Sequence, residues 1–172
     1  MRVRTAAAVA AATTTAMLVA GCSATPGAAA VVEGRTITQS TLDAAQEDLA
    51  PIFQGVDART VLVGLIVAPY FLEAAAENGV AVSEEQAVEV VNQGLAESGQ
   101  ELPELSEGAL EVLRFSRASQ SLQQLEDAPA IIGEVEAEIF EADVTINPRY
   151  GELDPETGQI VAETLPWLHV GE

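Results

Sequence analysis

RTVLVGLIVAPYFLEAAAEN, residues Arg59 to Asn78, is the stretch on which the fold turns. From Val61 to Leu72 it carries no charge, which suits either a membrane segment or the buried helix of a domain core. Twelve uncharged residues fall short of the ~20 that span a bilayer as a helix. Gly64 and Pro69 interrupt the run, and Asp57, Arg59, Glu73 and Glu77 bound it closely. The reading is therefore a central buried helix, capped by Asp57 and stopped at Asn78-Gly79. Pro69 should kink it, because its ring and missing N–H disturb the preceding turn.

Other helices are legible on either side. Ser40 with Asp43 three residues on, then Leu42, Ala45 and Leu49 at helical spacing, predicts a first helix that Pro51 stops. Ser83 and Gln86 form a capping box for a third, with Ala87, Val91 and Leu95 on one face and Gly99 at its end. Ser106 caps a fourth, in which Phe115, Ala118, Leu122 and Leu125 make an apolar stripe. Pro129 is expected to break or bend that helix. Beyond it Ile131, Ile132, Val135 and Ile139 line a fifth, with Glu134, Glu136, Glu138 and Glu141 on its other faces.

Strands flank the helices. AVVEGRTIT (Ala30 to Thr38) places β-branched residues on both sides of Glu33-Gly34 and reads as a short hairpin or a tightly turned strand. DVTIN (Asp143 to Asn147) alternates as a half-buried strand that Pro148 ends. DPETG (Asp154 to Gly158) is turn chemistry, after which QIVAE can pair back as a hairpin arm. Scarce aromatics and abundant Ala, Val, Leu and Glu favour helices with acidic outer faces over a β-sandwich.

The opening of the chain reads as an export signal. Arg2 and Arg4 precede an uncharged run from Ala6 to Ala20, followed by small residues. Cys22, the single cysteine, stands directly after that run, and Val19, Ala20, Gly21 and Cys22 resemble the lipobox of bacterial lipoproteins. The resemblance implies cleavage before Cys22 and a thioether from its thiol to a diacylglycerol. Residues 1–21 are then a signal peptide, 22–30 a lipidated cysteine and small, flexible tether, 31–165 one domain and 166–172 a C-terminal tail. The expected location is the outer face of the cytoplasmic membrane.

All 27 acidic residues follow Cys22, against five arginines and no lysine, a net charge near −22 for that portion. Such a body is repelled by nucleic acid and by anionic headgroups. Several acyl chains, at about 0.8 kcal/mol per buried methylene, overcome the repulsion.

No catalytic constellation is legible. His169 is the one histidine and lies in PWLHV, read as an exposed tail, so neither a zinc site nor a serine nucleophile with its base is expected. The acidic run from Glu134 to Asp143 has helical spacing and no calcium loop. Phosphate loops and basic patches with interleaved aromatics are absent from the sequence. Glu111 and Arg114, three residues apart, fit an ordinary surface ion pair. Phe53, Tyr70, Phe71, Phe115 and Phe140 hold most of the aromatic area; core packing explains them, with a peptide-binding groove as the sharper alternative.

VVEGRTITQSTLDAA (Val31 to Ala45), the succession of helices and the late strand resemble the N-terminal chaperone domain of SurA-type periplasmic folding factors. Val31, Val32, Gly34, Ile37 and Thr38 fill the family's strand, turn and "I-T" step, while Glu33 stands where Asn is common. VTINPRYGELDPETGQI resembles the close of short actinobacterial lipoproteins of this group at Asn147, Pro148, Arg149, Tyr150 and Gly151. The fold implied is mainly α, a SurA N-domain-like helical bundle with short N- and C-terminal strands pairing. The function implied is ATP-independent holdase binding of unfolded or nascent exported polypeptides, with Phe53, Tyr70, Phe71 and Phe115 as client-binding candidates. No cofactor, metal, parvulin module or enzymatic activity is expected. The competing reading is a structural or adaptor lipoprotein that binds one dedicated envelope protein.

Overall fold

The computed structural model describes residues 26–97, 99, 101–154, 160 and 161. Cys22, the leader and the tail with Trp167 and His169 lie outside the described residues. The described chain is mainly helical, with five helices and a small antiparallel sheet. Strand β1 (Ala28–Val32) is central, flanked by β2 (Arg35–Thr38) and by β3 (Val144–Ile146). Between β2 and β3 run α1 (Gln39–Leu49), α2 (Ala58–Glu77), α3 (Glu84–Glu97), α4 (Glu107–Leu122) and α5 (Ala128–Glu141). A separate hairpin of β4 (Glu152–Leu153) and β5 (Ile160–Val161) follows.

Glu33-Gly34 is a hairpin turn with φ of +48° and +78°, the left-handed pair that matches strand twist. The strain of a glutamate there is offset by two bonds to the entrance of β3. Glu33 N–H donates to the Asp143 carbonyl at 3.0 Å, and the Glu33 carboxylate accepts from Asp143 N–H at 2.6 Å. Val31 then faces Thr36 on one side and Thr145 on the other, which joins the two ends of the domain.

The tether boundary at residue 30 needs correction. Ala28, Ala29 and Ala30 are buried strand residues, 6%, 0% and 1% exposed. Three alanines look like linker composition, yet a central strand overlain by helices needs small side chains there. Asn147 fixes that end of the sheet, its side-chain amide donating to the Ala28 carbonyl at 3.0 Å and its backbone N–H to that of Ala29 at 2.9 Å.

Local chemistry sets the helix starts. Asp57 caps α2 by accepting from Thr60 N–H at 2.8 Å, and Ser106 caps α4 through Ala109 N–H. Ser83 and Gln86 close a reciprocal capping box at 2.9 and 3.2 Å. The cap of α1 is Thr38, not Ser40; Thr38 Oγ1 accepts from Thr41 N–H, and Ser40 bonds Thr38 instead. Pro129 does not break α4, which ends at Leu122; it sits in the first turn of α5, where its missing N–H is one of the helix-start donors that lack a partner anyway. The arm that pairs with Ile160-Val161 is Glu152-Leu153, because DVTIN is already committed to β1.

Among the described residues α2 is the one helix long and apolar enough to cross a membrane. Its apolar residues Val61, Leu62, Leu65, Ile66 and Ala68 are instead buried in the core. The main cluster joins α2 to the sheet, α1 and the first half of α4 through Leu42, Leu49, Leu62, Leu65 and Leu113. A second cluster, with Ala75, Ala118, Leu122, Val135 and Ile139, seats α5 against the later turns of α2 and α4. Each fully buried Leu or Ile contributes about 1.5–3 kcal/mol of transfer free energy. Small residues set the closest approaches: a Cβ on Gly64 would lie 3.3 Å from Val112, and one on Gly108 3.2 Å from Ala45 and Thr41.

Candidate functional site: an apolar groove between two helices

Helix α2 turns Thr60, Val63 and Gly64 to one side, and α4 turns Val112, Phe115 and Ser116 to the same side, each set at three- and four-residue spacing. Gly64 brings the two faces close. The loop between α1 and α2 adds Phe53 and Val56, and Ile160 of β5 adds a further wall. The result is a groove of about 680 Å³, within the ~300–1,000 Å³ of pockets that hold a small ligand or a few side chains. Phe53 is 38% exposed at its edge.

Polar groups stand on the rim. Asp57 and Arg59 both line the groove. The Asp57 carboxyl is held below the usual aspartate range, first by the Thr60 N–H of its own helix cap and further by Arg59. Its charge is thus committed to the cap.

Two of the four client-binding candidates meet here. Phe53 and Phe115 line the groove, and Phe71, which is not part of its described lining, packs edge-to-face on Phe115 with ring centroids 5.1 Å apart. Tyr70 does not belong. One helical residue turns a side chain by about 100°, so Tyr70 faces α5 and lines a separate recess with Glu73, Glu77, Glu134 and Glu138. Burial pushes the Tyr70 hydroxyl up, with Glu33 and Glu138 adding to the rise.

Core packing, the simpler expectation, holds in part: Tyr70 and Phe71 are half-buried and pack against the core clusters, Phe115 is half-buried, and Phe53 and Phe140 are exposed. Among the described residues Tyr150 is the fully buried aromatic. Val63 and Val112 were missed as groove residues. The signal for Val112 was available, since it continues the Phe115 stripe three residues earlier.

The Glu111–Arg114 pair is replaced by other partners. Glu111 bonds Arg35 of β2 in a salt bridge at 3.2 Å. Arg114 Nε instead donates to the Val82 carbonyl at 3.1 Å. Burial raises the Glu111 carboxyl, and Arg35 opposes the rise.

Another recess of about 740 Å³ lies under α3, rimmed by Glu85, Glu89 and Arg117. Its described lining carries no aromatic side chain. No three His, Cys, Asp or Glu side chains among the described residues converge to hold a metal. No protein-family model, curated protein or solved structure matches the chain.

Proposed function

We propose that this chain is a lipid-anchored extracytoplasmic protein that binds non-native exported polypeptides through the groove between α2 and α4. The observation that carries the reading is Phe53 and Phe115 facing one open apolar groove in a chain of net charge −20. Apolar contact is non-directional and so accepts varied client segments. The acidic surface keeps the carrier soluble and opposes its self-association. Resemblance of Val31 to Ala45 to SurA-type chaperone domains points the same way, and Cys22 supplies the anchor.

Suppression of client aggregation tests it. At substoichiometric to equimolar amounts the purified chain should suppress aggregation of several unrelated unfolded proteins. Phe53→Asp should weaken that suppression without loss of helicity, since Phe53 already contacts water. Suppression of no client, or suppression indifferent to Phe53, would overturn the proposal. A single stable one-to-one complex with an envelope protein would favour a dedicated adaptor.

A further inference from the structure

Helix α3 is held unevenly along its length. The Ser83–Gln86 capping box closes its start, and Glu84 and Glu85 stand at the positive end of the helix dipole. Arg114 Nε ties the Val82 carbonyl, just before the helix, to α4. Ala87 is fully buried in the main core cluster, and Val91 packs against it.

Beyond Val91 these supports run out. Gly94 lies inside the helix with open space where a Cβ would project, whereas Gly64 and Gly108 sit under close neighbours. Packing therefore does not demand glycine at 94, and glycine weakens a helix interior relative to alanine. The last turn carries no basic residue to offset the dipole, and Gly99 follows in the left-handed region at φ +68°. Asn92, Gln93, Gly94 and Ala96 are exposed. Leu95 is buried at 8% exposure, yet it belongs to neither core cluster.

We propose that the end of α3, Asn92 to Glu97, is a flap that unwinds and recloses in the native protein, with Leu95 as its latch. Segments with few buried apolar contacts open ahead of global unfolding. Here one leucine outside the clusters resists the opening, and Gly94 beside it lowers the helix's own contribution. The capped first half, anchored by Ala87, stays in place. Opening brings a leucine to the surface of a strongly acidic protein and uncovers the seat it leaves.

Native-state hydrogen exchange of the intact chain, read by nuclear magnetic resonance at increasing sub-denaturing urea, tests the flap. The Leu95 and Ala96 amides should exchange at least roughly tenfold faster than those of Leu65 and Ile66 in α2. Their rates should respond little to urea, because a small opening exposes little surface. Gly94→Ala should slow exchange at Leu95 and Ala96 about fivefold. Leu95→Asp should fold, with a denaturation midpoint close to that of Leu95→Ala, since either change only leaves the flap open. Exchange at Leu95 and Ala96 with the rate and urea dependence of α2 would overturn the proposal. So would a Leu95→Asp chain that unfolds where Leu95→Ala does not, since that is how a leucine built into the cooperative core behaves.

Discussion

The Arg35 guanidinium donates to the Leu65 carbonyl at 2.6 Å, and Leu65 is the residue whose helical donor Pro69 removes. Helix α2 continues across Pro69 with this side chain in place of the missing N–H. The same guanidinium bonds Glu111, so β2, α2 and α4 meet at one arginine.

Arg35→Met is expected to destabilise the domain by about 1.5–3 kcal/mol, the range for a hydrogen bond from a charged group. In a Pro69→Ala background, where residue 69 regains its N–H, the same change should cost less. Chemical denaturation of the four proteins of this cycle measures the coupling. Equal losses in both backgrounds would refute the replacement of one donor by the other.

Glu111 gives a pH dependence with a definite sign. Its folded pKa lies above the 4.5 of an ordinary glutamate, because burial disfavours the ionised form. The native state therefore holds more protons than the unfolded chain in the window above 4.5, and stability from this group falls as pH rises through it. The wild type should lose stability relative to Glu111→Gln between pH 4.5 and neutrality. A gain would mean that the Arg35 pair outweighs desolvation.

Ser83→Ala removes one half of the capping box of α3 and should cost about 1 kcal/mol. Hydrogen exchange should show the loss concentrated in the first turn, near Gln86. Uniform loss across the domain would contradict a local cap.

At Gly151, φ is +115° and the Cβ position collides with the backbone of Val161. Gly151→Ala should detach β5 while leaving the five helices intact. Unchanged far-ultraviolet circular dichroism with faster exchange at Ile160 and Val161 is the expected pattern.

The proposed lipid anchor predicts that Cys22→Ser releases the chain from the membrane fraction and removes the mass of a diacylglycerol adduct. A variant still retained there, with unchanged mass, would contradict the anchor.

The helices were legible because their starts and stops are local chemistry: Asp57, Ser83 and Ser106 cap through residues three positions on. Thr38 was passed over because Ser40 offered the same chemistry two residues later. Burial of Leu42, Ala45 and Leu49 followed from spacing alone. The alanines of β1 did not reveal themselves, since a small residue reads alike in a linker and in a crowded strand. What escaped most fully was tertiary pairing. Glu111 has Arg114 three residues away but meets Arg35, 76 positions distant, and no local pattern carries that information. Phe53 and Phe115 were named as candidates from their type, whereas their meeting in one groove depends on how α2 lies on α4.

Titration of an isotopically labelled chain with a permanently unfolded client polypeptide tests the central claim most directly, read by nuclear magnetic resonance. Shift changes confined to Phe53, Val56, Val63, Val112 and Phe115, and abolished by Phe53→Asp, are the predicted result. Changes centred on the recess under α3 or on Tyr70, or none at saturating client, would contradict the groove as the client site.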